Sequence, residues 1–182
     1  MKEIPEHNMV YICTIDTPLG AATVSAVGEV LTGLWFIGQK YYPANTDVWV
    51  HEPDYPVFER LRAWLSDYFS GINKPPDLRL EPRGTLFQKA VWNILLKIPY
   101  GQVTTYGEIA KKIALSRNLP SMSARAVGGA VGHNPISILI PCHRVVGSNR
   151  SLTGYAGGLD KKDSLLRLEH ISLEQANLAE LA

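Results

Sequence analysis

The sequence predicts a two-domain α+β protein: a small antiparallel β-sheet with a helix over residues 1–82, then a mainly helical domain over residues 83–182. Three observations predict it. Residues 9–37 alternate in polarity and are rich in Val, Ile, Thr and aromatics, the pattern of half-buried strands. From Thr85 onward helical periods take over, two of them opened by a threonine with Gln or Glu three positions later. Between these regions lies "NKPPDLRLEPRG", a proline-rich connector at which the charge changes sign. Residues 1–82 hold 6 Lys/Arg against 11 Asp/Glu, whereas residues 83–170 hold 12 against 4. A formal net charge of +1 therefore hides an acidic half joined to a basic half. The basic half suits a polyanion such as nucleic acid, and solubility charge that fell unevenly is the plainer alternative.

The elements follow in order. Turn signals at Thr17-Pro18-Leu19-Gly20 and Gly28-Glu29 cut the first region into about three strands joined as hairpins. After a loop at Pro43, Phe58, Leu61, Leu65 and Phe69 recur at helical spacing, and Gly71 stops that helix. Thr85 and Gln88 form a capping-box pattern for a helix running to Lys97, before Pro99. Thr105 and Glu108 open "YGEIAKKIAL" in the same way. "SRNLPSM" is a turn, and "SARAVGGAVG" is a third helix closed by Asn134-Pro135. Two short helices separated by a turn, inside the basic half, fit a helix-turn-helix. "SILIPC" is too short and too proline-interrupted for a helix, so it reads as a buried extended strand. "GYAGGL" is a glycine-rich loop, "DKKDSLLRLEH" a last helix, and the tail beyond it is expected to be loosely held.

Composition excludes several classes. With 46% of residues apolar and 19% charged, the chain is not a disordered one. No apolar run approaches the ~20 residues that span a bilayer. "MKEIPEHNMVYICTID" lacks the uninterrupted apolar core of a signal peptide. Two cysteines, Cys13 and Cys142, are too few for a disulfide framework or a cysteine-based zinc site. The expectations are no metal, no membrane and an intracellular, cytoplasmic setting.

Chemistry concentrates at "ISILIPCHRVVGSNR", where Cys142 is followed by His143 and Arg144. A thiol becomes a nucleophile when a neighbouring base or cation makes its thiolate accessible. In a strand His143 would point away from Cys142, so a turn or a bridging water would be needed to couple them. Glu169 and Glu108 are both available to orient the imidazole. Taken alone, a buried cysteine beside a histidine is more often a small core residue. "ARAVGGAVG" adds a second oddity, because each glycine costs a helix ~1 kcal/mol relative to alanine. Close helix packing is the plain reason for Gly128 and Gly129. Close approach of a nucleic-acid backbone is the functional one, with Arg125 as the single long side chain able to enter a base stack.

"PCHRVVG" at 141–147, preceded by "ARAVGGAVGHNPISILI" and followed by "TGYAGGL", resembles the O6-alkylguanine-DNA alkyltransferases. The resemblance runs nearly unbroken from about Phe87 to His170. It implies a ribonuclease H-like N-terminal domain and a C-terminal winged helix-turn-helix that binds double-stranded DNA through the minor groove. It implies a monomer without cofactor, acting in the cytoplasm, or in the nucleus of a eukaryote. The implied reaction is DNA repair: Cys142 takes an alkyl group from O6 of guanine, and from O4 of thymine, keeps it as a thioether and acts once. His143 would deprotonate Cys142 through a water, and Glu169 would orient His143. Asn134 would tie helix to active-site strand. Arg125 would fill the gap left by the flipped base, on a helix whose Ala126, Gly128 and Gly129 meet DNA. Tyr106 would drive nucleotide rotation and donate to guanine N3. The Cys142 and Val145 carbonyls would accept from the guanine amino group, and Tyr155 and the Ala156 amide would approach O6. Some relatives carry a structural zinc in the N-terminal domain; with Cys13 the lone cysteine of that half, none is expected here. A lesion-binding module without chemistry and a thiol hydrolase using Cys142 and His143 are the alternatives to alkyl transfer.

Overall fold

The computed structural model describes residues 9–44, 46–173 and 179. The chain divides into two compact units, residues 1–83 and 84–182.

In the first unit β1 (Tyr11–Thr17), β2 (Gly20–Val27) and β3 (Val30–Phe36) form an antiparallel meander, with Thr17 opposite Gly20 and Val27 opposite Val30. The two signalled turns therefore close two tight hairpins. The sheet is not purely antiparallel. Val50–His51 (β4) pairs parallel with β1 and Arg79–Leu80 (β5) parallel with β3, giving the order β4-β1-β2-β3-β5. Two-residue strands carry too little periodicity to be read from sequence.

Helix α1 (Pro56–Phe69) buries Val57, Phe58, Leu61, Leu65 and Tyr68. Tyr68 rather than Phe69 completes the stripe, as a 3.6-residue period requires. The opposite sheet face is covered as well: Tyr42 hydrogen-bonds Thr23 at 2.5 Å, and Trp49 lies 6.2 Å from Trp35. The Trp35 ring lies over Gly33, where an added Cβ would stand 1.8 Å from the ring and 2.7 Å from Ser25 Oγ.

The second unit contains α2 (Leu86–Leu95), β6 (Thr104–Thr105), α3 (Tyr106–Ser116), α4 (Ala124–Gly132), β7 (Val145–Val146) and α5 (Leu159–Leu168). Thr85 and Gln88 form a complete capping box, and Thr105 and Ser123 cap α3 and α4. Helix α2 ends two residues before Lys97, because Lys97 and Ile98 bond three residues back and tighten the last turn. Indole Nε1 of the buried Trp92 donates to the Ala130 carbonyl at 2.9 Å, fixing α4 on α2. The parallel pairing of β6 with β7 brings the start of α3 beside Val145.

Two expectations for this unit are corrected. "SILIPC" is not a strand. The Leu139 and Cys142 amides each bond a carbonyl two residues back, the Ile140 amide bonds Ile136, and Ile138 takes φ +69°. A β-branched residue in the left-handed region is strained, and the segment coils because its backbone groups find other partners than a ladder. The tail after the last helix is not wholly loose either. Ile171 and Leu173 pack on Val103, Val146 and Leu166, and the Ala179 amide bonds the Val103 carbonyl; residues 174–178 and 180–182 lie outside the described residues. Among the described residues no helix is long and apolar enough to cross a membrane, and no group of His, Cys, Asp and Glu could hold a metal ion.

Gly33→Ala should destabilise the first unit by about 1–3 kcal/mol, the cost of forcing a rigid ring off its seat. A lowered urea midpoint in tryptophan fluorescence is the expected result.

Candidate active site

Cys142, His143 and Arg144 form one turn of 3-10 helix. In such a turn successive side chains fan out by about a third of a revolution, where a strand would send them to opposite faces. Cys142 is 5% exposed, and His143 and Glu169 are fully buried.

Glu169 follows directly on α5 and gathers both basic residues of the turn. His143 Nε2 stands 2.8 Å from its Oε1, and Arg144 donates to both carboxylate oxygens at 2.8 and 2.9 Å. Arg144 also reaches the Ile98 carbonyl at 2.6 Å. Burial alone would raise the Glu169 carboxyl, but His143 and Arg144 outweigh it and hold it well below the carboxylate range. Burial lowers the His143 imidazole more than Glu169 raises it. The ring is thus neutral, donating through Nε2–H to the carboxylate. Its Nδ1 is buried with no partner among the described residues, so it is the nitrogen free to accept a proton.

The thiol sits under a different set of groups. Asn134 Nδ2 donates to Cys142 Sγ at 3.1 Å and to the Ile140 carbonyl at 2.8 Å, while Asn134 Oδ1 accepts from the Ile136 amide at 3.0 Å. This side chain takes up the backbone groups that coil residues 136–140. Burial pushes the thiol up, opposed by Asn134 and then by Lys162. The cation that opposes burial at the thiol is Lys162 and not Arg144. Helical spacing carried the signal for Lys162: it lies three and four residues before the buried Leu165 and Leu166, on the apolar face of α5. Its Nζ donates to the Val145, Thr153 and Gly154 carbonyls at 2.5, 2.5 and 3.0 Å.

Tyr106, the first residue of α3, donates to the same Thr153 and Gly154 carbonyls at 3.2 and 3.3 Å. Burial, with Cys142 nearby, pushes its hydroxyl up to about 12. Gly154 has φ +61°, and a Cβ there would stand 2.7 Å from the Tyr106 hydroxyl, so only glycine allows this approach. The buried Tyr155 hydroxyl lacks a hydrogen bond of good geometry; burial and Cys142 raise it well above its ordinary value, with Ser137 a partial offset. Ala156 is half-buried in the same loop.

Arg125, Ala126 and Gly129 lie on the exposed face of α4, with Gly128 half-buried against the Tyr106 ring, where an added Cβ would make ordinary contact at 3.7 Å. Among the described residues, nothing beyond its own turn of helix stands within 4 Å of a Cβ added at Gly129. Close helix packing thus explains neither glycine. Glu108 pairs with Lys111 at 2.7 Å on the exposed side of α3 and takes no part in the array.

Acid should destabilise the fold in two steps. His143 is depressed below its ordinary 6.5, so stability is whole above that value and is lost as pH falls through it, when the unfolded chain binds a proton the folded one refuses. Glu169 is depressed below its ordinary 4.5, so its contribution disappears at lower pH still. Melting temperatures from about pH 8 to about pH 2 test this; a flat profile between about pH 8 and about pH 4 would contradict a buried neutral imidazole.

Known proteins match most of the chain. Residues 10–82 match the family model described as 6-O-methylguanine DNA methyltransferase, ribonuclease-like domain, and residues 86–171 match the DNA binding domain of the same name. A methylated-DNA–protein-cysteine methyltransferase of Mycobacterium tuberculosis is 46% identical over 161 residues, 88% of this chain and 93% of the relative. One from Haemophilus influenzae is 43% identical over 88% of this chain and 87% of its own length. The crystal structure of M. tuberculosis O6-methylguanine methyltransferase superposes with a TM-score of 0.76 at 46% identity, covering 88% of this chain and 93% of that one. M. tuberculosis OGT in complex with DNA gives 0.77 at 43% identity, covering 87% and 92%. The chain belongs to the 6-O-methylguanine DNA methyltransferase family.

Proposed function

We propose that this protein repairs DNA by moving an alkyl group from O6 of guanine onto Cys142, once per molecule. The observation that carries the reading is the buried Cys142–His143–Glu169 array, in which His143 Nδ1 is the one ring nitrogen left to take a proton. The thiol and imidazole rest neutral. The thiol proton passes to His143 through a water, and the Glu169 carboxylate stabilises the imidazolium. The sulfur attacks the saturated alkyl carbon, a carbon–sulfur bond forms, and the carbon–O6 bond breaks with its electron pair going to guanine. The proton then returns to the guanine anion. Nothing regenerates the thioether, so turnover stops at one, and the reaction requires no cofactor.

The finer assignments are part of the same proposal. Residues 1–82 form a ribonuclease H-like α/β domain, and residues 83–182 a winged helix-turn-helix domain for DNA binding and alkyl transfer. Helix α4 enters the minor groove of double-stranded DNA as a monomer. Gly129, exposed and uncrowded, suits a backbone pressed against α4, and Arg125 is the long exposed side chain beside it. The target base leaves the stack, and Arg125 fills the gap. Tyr106 donates to guanine N3, the carbonyls of Cys142 and Val145 hold its amino group, and Tyr155 and the Ala156 amide approach O6. A buried tyrosine hydroxyl that resists ionisation remains a donor as charge develops on the leaving guanine. O4-alkylthymine is a further substrate, and the protein works in the cytoplasm or, in a eukaryote, the nucleus.

Incubation with duplex DNA carrying labelled O6-methylguanine should place one methyl per protein on Cys142, located by peptide mapping. Cys142→Ala should bind the lesion and accept no label; equal labelling of both proteins would overturn the mechanism.

Arg125→Ala should slow repair in duplex DNA about tenfold or more while reaction with free O6-benzylguanine stays close to native. This is the separation expected when one side chain supports unstacking, which costs a few kcal/mol, and not chemistry.

A further inference from the structure

The charge at Lys162 has a use beyond filling space. A lysine with no solvent exposure is rare unless paired, and among the described residues no carboxylate pairs with this one. Its three donors are spent on three carbonyls from two segments: Val145, directly after the Cys142 turn, and Thr153 and Gly154 of the glycine-rich loop. A hydrogen bond with a charged donor is about twice as strong as a neutral one. Three of them on one nitrogen make a rigid joint between the thiol-bearing turn and the loop. Tyr106 closes on that loop from α3 through the Thr153 and Gly154 carbonyls. The titratable groups that sense this corner are Cys142 and His143 of the turn, Tyr106 of α3 and Tyr155 of the loop.

We propose that Lys162 is a positioning residue for alkyl transfer: it locks the Val145 carbonyl, three residues after Cys142, and the 153–154 loop into one pocket wall. The inference rests on the alkyl-transfer reading. The lysine works through the carbonyls it holds and through its field, and needs no contact with the base. At the thiol the charge of Lys162 opposes the effect of burial. Burial pulls the lysine down to about 8, with Cys142 opposing, so near neutral pH it still carries its proton.

The test uses the full-length protein and the variants Lys162→Met, which fills similar volume without charge, and Lys162→Gln, which keeps two donors without charge. The readouts are single-turnover methyl transfer from O6-methylguanine duplex at saturating protein, affinity for the same duplex, and the pH dependence of Cys142 alkylation by iodoacetamide. Displacing a pocket wall by about 1 Å costs on the order of 100-fold in rate. Lys162→Met should lose about that much of the saturating rate, with DNA affinity within about threefold of native. Lys162→Gln should fall between the two, and in both variants the alkylation midpoint should move to higher pH. Transfer by Lys162→Met within about threefold of native, or an unmoved midpoint, overturns the proposal. Loss of the cooperative melt in both variants also overturns it, since Lys162 would then be a structural residue alone. Failure of the native protein to place a methyl on Cys142 is a different result and sinks the alkyl-transfer reading itself.

Discussion

The second unit is organised around one buried charge. Taking a carboxylate out of water costs several kcal/mol unless its oxygens are matched by donors of good geometry. Glu169 meets that condition only because the Cys142–Arg144 turn delivers an imidazole and a guanidinium to it at once. The constraint runs outward from there. Arg144 reaches on to the Ile98 carbonyl and lies over the Tyr100 ring, and the Tyr100 hydroxyl donates to the Leu168 carbonyl at the end of α5. The end of α2, the thiol-bearing turn and the last helix are thus held by a single ion. A neutral residue at 169 would leave Arg144 buried without its counter-charge and the imidazole without an orienting acceptor.

Much of the framework was legible because it rests on local rules. The hairpins follow from turn residues at fixed offsets, and the caps of α2 and α3 from hydroxyls placed three residues before Gln and Glu. Cys142, His143 and Glu169 stood out through the family blocks around them, and spacing alone left Glu108 an equal rival. Where tertiary contacts overrode local pattern, reading stopped. The aliphatic run before Pro141 looks like a strand until Asn134, which precedes it, supplies hydrogen bonds that coil it and force Ile138 to positive φ. Lys162 is hard to single out because a lysine pair in a charged helix ordinarily faces water, although its spacing from Leu165 and Leu166 puts it on the buried face.

The two glycines of α4 show how a structure can narrow a reading that sequence leaves open. Helix packing is the usual reason for glycine in a helix interior, and it predicts a crowded Cβ position. Gly129 has open space there, and Gly128 has ordinary contact only. A cost of ~1 kcal/mol per glycine without an internal return points outward, to something that must come close to the helix. Beside them, Val127, Ala130 and Val131 are buried and Trp92 grips the Ala130 carbonyl, so the helix is held on one side and carries Arg125 as its one long side chain among small residues on the other. Such a surface fits the groove insertion proposed for this helix.

Protection and reactivity of the thiol come from the same burial. An exposed thiolate would be ready to react with any electrophile or oxidant, which is costly for a protein with one use. Burial raises the Cys142 thiol and lowers the His143 imidazole, so the proton stays on sulfur at rest. Asn134 and Lys162 oppose that effect at the sulfur, and the ionised Glu169 opposes it at the ring. Both members of the pair thus carry groups that oppose the effect of burial. In the proposed reaction the balance tips as the sulfur's charge passes to a departing guanine hydrogen-bonded by Tyr106 and neighbouring donors. The array thus holds an unreactive neutral pair whose charged form is prepaid by fixed dipoles and ions.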